Sequence, residues 1–416
     1  MIIFYLNIKH INKSNLYSIK ISKNNNNILF FVMKIAYLGK IQLSDVDLSY
    51  LHEAQKLSDI TYILEITPRF QKGPAFNIKK IVNKVGIFKA TDLYPELSKY
   101  ANYIDTDKFF VANTYGRFWQ IKAFWTNFLL LIFIIRNKFN VIHIVWPLNI
   151  YEFILYYLKR RMILTVHDPF PHSGLDTFIV RLRRKFAFKF ISRLIILNKA
   201  QRQQFIDYYN LKKHDVIDSQ LSCYSYLNTI KTDNSFLSNN NRYILFAGNI
   251  SKYKGLDYLL PAMVNVHNAF PDVKLIIAGR GYFHFDVSKY KELNYIEFRT
   301  YFIPEEELVS LIKNALFIIC PYTDATQSGV IMSAFAFDKP VIATDVGGLP
   351  EMLGNGKYGI LVKKKDIDSL TEGLVKLLAD EDLLIKFSEH IKCDFGTGNN
   401  SWKVIASKIR NDYSKI

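Results

Sequence analysis

At 416 residues the chain has room for two domains of ordinary size, and with half its residues hydrophobic each can bury a core. Lys and Arg (54) exceed Asp and Glu (37), and the resulting +17 favours an anionic partner: nucleic acid, anionic lipid or a phosphorylated substrate. A surface that is basic all over, with no dedicated partner, explains the same number. Cys223, Cys320 and Cys393 are widely spaced and odd in number, which argues against a disulfide framework and a zinc site and for a reducing, cytoplasmic setting.

Residues 1–32 contain NKSN and KNNNN, lack glycine and show no apolar period, and they have neither the apolar core nor the cleavage site of a signal peptide. They are expected to be an extension, either translated upstream sequence or a disordered tail, with Met33 as the biological start. The KIAYLG that follows is a buried strand over 35–38. A helix is expected over 47–56 and strands over 61–66, 141–145, 162–166 and 194–197, the last three leading to Trp146, His167 and Asn198. Residues 124–135 are strongly apolar but fall short of the roughly 20 residues that span a bilayer, so they predict a buried or membrane-seated helix. Residues 178–193, FIVRLRRKFAFKFISR, predict an amphipathic helix. Its basic face is either solvated or laid on an anionic membrane.

The polar, asparagine-rich 219–241 marks a linker. A second alternating pattern then begins. Strands are expected over 243–247, 274–278 and 359–362, and helices over 256–270 (disturbed by Pro261), 304–316 and from the cap Asp366 onward. Between them, 318–352 reads as strand, small-residue loop, helix, strand and Gly347-Gly348 turn. Such alternation predicts doubly wound parallel sheets, whose ligands sit at the carboxyl edge. A small-residue loop opening a helix also suits a phosphate.

Three landmarks carry a resemblance: the loop Gly248…Lys254-Gly255, the run from Lys339 to Thr344 (KPVIAT), and Gly347-Gly348-Leu349-Pro350-Glu351. Together they resemble the nucleotide-sugar half of GT-B glycosyltransferases, specifically the retaining group 1 family called GT4. The match runs from about residue 33 to the C-terminus. The resemblance implies an α/β GT-B fold of two Rossmann-like domains facing across a cleft. Residues 33–218 would bind the acceptor, 242–396 the nucleotide sugar, and 397–416 would carry a helix crossing back to the first domain.

The resemblance assigns Lys254 to the diphosphate of the donor, where a point charge on a flexible stem suits the task. The companion arginine of the family is replaced by Asn249, with Lys252 or Arg280 as substitutes. Donor-binding residues would be Gly248, Asn249, Lys254, Gly279, Arg280, Gln327, Ser328, Gly329, Val330 and Glu351. Two family glutamates fall at Ala325 and Ser333, so both acids are absent, as in a subgroup that carries Ala-Thr-Gln-Ser-Gly-Val here. His167 resembles the histidine that lines the cleft and bonds the donor sugar, with Asp168 orienting it or facing the acceptor. A satisfied core histidine, or a metal cluster with Asp168 and His172, are the competing readings. No metal or other cofactor is expected.

The implied function is retaining, hexosyl-type transfer from a nucleotide sugar to a glycan or lipid-linked acceptor in bacterial surface polysaccharide assembly, in the cytoplasm or on the inner membrane face. The alternatives are a catalytically degenerate GT-B binding subunit and a metal-dependent GT-A enzyme using Asp45-x-Asp47 or Asp105-x-Asp107. No motif supports nucleic-acid binding.

Overall fold

The computed structural model describes residues 33–115, 121–148, 152–170, 177–191, 193–233, 235 and 242–416. The 1–32 extension, His172 and parts of the 219–241 linker lie outside them. The first sheet has eight strands, in the order β3-β4-β2-β1-β5-β6-β7-β8. These are β1 (Lys34–Lys40), β2 (Asp59–Ile66), β3 (Gly86–Lys89), β4 (Phe109–Asn113), β5 (Val141–Ile144), β6 (Met162–Val166), β7 (Arg193–Ile196) and β8 (Val216–Asp218). All pair in parallel except β3 with β4. The second sheet is parallel throughout, in the order β11-β10-β9-β12-β13-β14. Its strands are β9 (Arg242–Ala247), β10 (Val273–Ala278), β11 (Ile296–Arg299), β12 (Ile318–Cys320), β13 (Val341–Thr344) and β14 (Gly359–Val362).

The central strands are apolar without alternation because both faces of each sheet are covered by helices. Strand order reverses between β1 and β5 in one sheet and between β9 and β12 in the other. Those two crevices are where doubly wound sheets bind ligands.

Several local expectations are corrected. The helix Leu256–Ala269 runs unbroken through Pro261, which sits beyond the first turn and has no N–H to donate to the ladder. Pro304 is the N-cap of Glu305–Asn314, not part of its first turn. Asp366 does cap the helix Ile367–Ala379, accepting from Ser369 N at 2.9 Å. The linker region is packed as far as Leu227, with Cys223, Tyr224, Tyr226 and Leu227 all buried. The helix Ile121–Arg136 is not buried all round, since it leaves Phe124, Trp125 and Leu129 exposed. Among the described residues no helix is long and apolar enough to cross a membrane.

The C-terminal helix, Trp402–Tyr413, is held against the first sheet by a buried polar chain. Tyr413 Oη is 2.9 Å from Tyr50 Oη and 2.7 Å from His143 Nδ1, and His143 Nε2 is 2.7 Å from Thr165 Oγ1. Trp402 Nε1 donates to Cys223 O at 2.7 Å. Burial holds the His143 imidazole down to about 3, so it stays neutral and both ring nitrogens are used. Tyr413→Phe would strand two buried partners. It is expected to cost about 1–3 kcal/mol in urea unfolding, and a loss under about 0.5 kcal/mol would show the chain to be unimportant.

Candidate active site at the carboxyl edge of the second sheet

Four loop contacts shape the carboxyl edge of the second sheet, and each needs a glycine. A Cβ on Gly279 would lie 1.9 Å from Gly248 O, and one on Gly255 1.8 Å from Pro321 O. One on Gly347 would lie 1.6 Å from Ala325 O, and one on Gly348 2.2 Å from Thr326 O. Gly255 and Gly347 also have φ of +70° and +55°, where side chains are disfavoured. The loops after β9, β10, β12 and β13 are thus drawn backbone to backbone around the crevice.

Lys254 sits at the end of the turn Lys252–Lys254. Its Nζ lies 3.6 Å from the centre of the Tyr322 ring and 5.0 Å from that of Tyr253. Among the described residues it has no carboxylate partner. Burial pushes its ammonium down to about 8. Tyr322, buried just after β12, accepts at its carbonyl from Thr344 Oγ1 (2.5 Å), and its hydroxyl is 3.4 Å from Ser328 Oγ. One ring therefore stands between the free ammonium and the start of the helix Gly329–Phe335. On the other side of that start, Val330 Cγ2 is 3.4 Å from the Cβ position of Gly248.

The remaining predicted residues divide. Asn249 and Arg280 are exposed at the rim, with the Arg280 guanidinium 5.9 Å from the centre of the Phe302 ring. Ser328 spends its donors inside the protein, its amide on Met352 Sδ (3.3 Å) and its hydroxyl on Tyr322. Gln327 and Glu351 reach the first domain instead. Gln327 Nε2 donates to Leu197 O at 3.2 Å, and the Glu351 carboxylate accepts from Lys199 N (3.3 Å) and Ala200 N (3.1 Å). Here the protein itself takes up the groups assigned to the donor, because the Leu197 carbonyl and the Lys199 and Ala200 N–H groups after β7 lie within reach. Ser333, where the family has a ribose-binding acid, bonds back to Gly329 O within its own helix at 3.0 Å.

Across the cleft, β6 delivers His167 and Asp168. The Thr326 hydroxyl donates to Asp168 Oδ1 at 3.0 Å, and the Asp168 carbonyl accepts from Arg184 Nη1 at 2.6 Å. His167 is buried, its imidazole pushed down to about 4, and its Nε2 has no hydrogen-bond partner among the described residues. Its Nε2 is thus not satisfied as a core histidine's would be. The loop 321–328 thus links the two halves of the site, with Tyr322 under Lys254 at one end and Thr326 on Asp168 at the other. Sequence reasoning missed Tyr322 and Thr326; the only signal for either was its place in the small-residue loop after β12.

The Asp-x-Asp pairs serve other ends. Asp47 is buried and accepts from Tyr37 (2.8 Å) and Tyr62 (3.1 Å), and Asp105 caps the turn Thr106–Lys108. Among the described residues no group of three potential ligands is placed to hold a metal ion.

Two facing Rossmann-like sheets, each with a switch-point crevice, define the fold as GT-B. Residues 241–380, essentially the second sheet and its helices, match the family described as "Glycosyl transferases group 1". The chain is 26% identical over 263 residues to an uncharacterised glycosyltransferase of Methanocaldococcus jannaschii, covering 61% of this chain and 68% of that protein. It is 30% identical over 189 residues to the D-inositol 3-phosphate glycosyltransferase of Corynebacterium urealyticum, covering 42% of this chain but only 43% of that one. Among solved structures, HepE of Anabaena in complex with UDP superposes with a TM-score of 0.66 over 92% of this chain and all of that one, at 16% identity. Sucrose-phosphate synthase of Thermosynechococcus elongatus superposes with a TM-score of 0.65 over 92% of this chain and 98% of that one, at 15% identity. At such identities the likeness is one of fold.

The glycine contacts are directly testable. Gly347→Ala is expected to destabilise the protein by at least about 2 kcal/mol. Gly396→Ala, at a helix end with nothing within 4 Å of its Cβ position, should be near neutral. Equal melting temperatures for the two variants would contradict the packing described.

Proposed function

We propose that the protein is a retaining glycosyltransferase that moves a hexose from a nucleoside diphosphate to a glycan or lipid-linked acceptor. The observation that carries this reading is Lys254, a half-buried ammonium with no carboxylate partner among the described residues, set in the switch-point crevice between β9 and β12. A cation kept free of carboxylates at that edge suits a pyrophosphate. The family match of the second domain and the UDP and UDP-glucose bound to HepE point to the same ligand class.

In this reading Lys254 meets the pyrophosphate, helped by the 248–249 loop and Arg280 at the rim. His167 meets the sugar from the opposite domain, and Asp168 is oriented by Thr326 and Arg184. The acceptor oxygen bonds to the anomeric carbon on the face that the phosphate leaves. As the bond from carbon to phosphate oxygen breaks, its electron pair stays on the phosphate, and that oxygen takes the acceptor's proton. The residues contribute positioning and charge stabilisation and no covalent step. Gln327 and Glu351 hold the domains together across the cleft, so they act by positioning. The absence of acids at 325 and 333 favours one second reading, a GT-B subunit that binds the donor without turning it over.

A panel of UDP-, GDP- and ADP-sugars, scored for binding by calorimetry and for hydrolysis or transfer, tests the proposal. Lys254→Met is expected to keep the fold and lose about 100-fold or more in kcat/KM, about 2.7 kcal/mol or more. Unchanged activity would refute the assignment, and binding without turnover given a suitable acceptor would favour the second reading. The pH dependence carries its own sign. The ammonium is charged below about 8 and binds the anion in that form, so donor affinity should fall as pH rises past about 8. In Lys254→Met it should stay flat over the same range.

A further inference from the structure

One face of the first domain has an unusual composition. The helix Ile121–Arg136, the 3-10 segment Glu152–Arg161 and the helix Phe178–Phe190 lie side by side over one side of the sheet. Leu131, Leu155 and Phe188 of these segments join one apolar core beneath them. Contacts between neighbours keep the layer continuous: Phe153 lies 6.2 Å from Phe186, and Lys159 lies 5.0 Å from the Phe190 ring. Together the three segments contain ten Lys and Arg and one acid. That acid, Glu152, is buried and ion-paired with Lys40.

The outward residues are not the solvated charges of an ordinary amphipathic helix. Of the 18 large hydrophobic residues exposed among those described, 11 lie on these three segments. Phe178 (71% exposed), Ile179 (75%), Leu182, Phe186 and Phe190 stand out from the third segment between Arg181, Lys185 and Lys189. Trp125 and Phe124 do the same on the first, and Tyr157 on the second.

We propose that this face docks on an anionic lipid bilayer and that the acceptor is presented from that bilayer. The acceptor part rests on the glycosyltransferase reading above. Exposed aromatic and aliphatic side chains enter the headgroup boundary while neighbouring lysines and arginines meet lipid phosphates. A second copy of the chain is a poor occupant, since it would set cations against cations. An acidic protein would satisfy the charges, but the aliphatic tips of Ile179 and Leu182 fit acyl chains.

The face is also wired to the site. Arg184, buried on the third segment, donates to the carbonyls of Asp168 (2.6 Å) and Pro169 (3.2 Å). The segment that meets the bilayer therefore fixes the backbone beside His167. An acceptor held at this membrane surface enters at the first domain's side of the cleft, opposite Lys254.

The test is co-sedimentation of the full chain with vesicles of phosphatidylethanolamine and phosphatidylglycerol against vesicles of phosphatidylcholine. Wild type is expected to bind the anionic vesicles, less at high salt, and to leave phosphatidylcholine alone. The triple variant Arg181→Glu, Lys185→Glu, Lys189→Glu is expected to bind at least 100-fold more weakly, and Phe178→Ser with Ile179→Ser at least tenfold more weakly. All five residues are exposed, so both variants should melt like wild type and keep wild-type donor affinity, which separates this test from that of Lys254. Wild type remaining in the supernatant with anionic vesicles would overturn the proposal. So would undiminished binding by the triple variant, or sedimentation equilibrium showing a dimer that the same substitutions break.

Discussion

The structure depends on the close approach of backbones at the carboxyl edge of the second sheet. Four loops meet there at distances that leave no room for a Cβ, at Gly248–Gly279, Gly255–Pro321, Gly347–Ala325 and Gly348–Thr326. This fixes where the turn before Leu256 ends, and so where the Lys254 side chain begins. The ammonium is then held over Tyr322 with no carboxylate among the described residues to neutralise it. A protein gains little stability from such a lysine, because burial lowers its affinity for its own proton. A bound polyanion would supply the missing counter-charge.

The second consequence is communication across the cleft. The 321–328 loop is pinned at its middle by Gly347 and Gly348, rests on Tyr322 at one end and reaches Asp168 through Thr326 at the other. Gln327 and Glu351 add bonds to the 197–200 backbone. Movement of the domains would therefore be felt at the same loop that carries Tyr322, the ring beneath Lys254. The first domain has its own anchor in the Tyr50–Tyr413–His143–Thr165 chain, which ties the C-terminal helix to the sheet carrying His167.

Much of this was legible in the sequence. Continuous apolar runs ending at glycine or histidine marked β1, β6, β9 and β10 to within a residue or two. Both sheets are doubly wound as the alternation implied, and the Gly248–Gly255 and Gly347-Gly348 turns lie at the crevice. Four strands were missed: Gly86–Lys89, Phe109–Asn113, Val216–Asp218 and Ile296–Arg299. Three of them are sheet edges, half exposed and three or four residues long, so neither composition nor period sets them apart from loops. The packing of Tyr224 and Tyr226 was hidden because the polar half of the linker dominated its composition. The hydrogen bonds of Gln327 and Glu351 to the first domain were invisible for another reason. Which partner a loop residue finds depends on how two domains face each other, and local sequence does not encode that.

The central claim is that Lys254 and the 248–249 loop grip a pyrophosphate. A crystal structure of the protein with the nucleoside diphosphate that binds best tests it most directly. The account predicts a phosphate oxygen about 3 Å from Lys254 Nζ, in the crevice between β9 and β12, with the His167 imidazole facing the same space. A diphosphate bound elsewhere, with the Lys254 ammonium still resting on Tyr322, would contradict it.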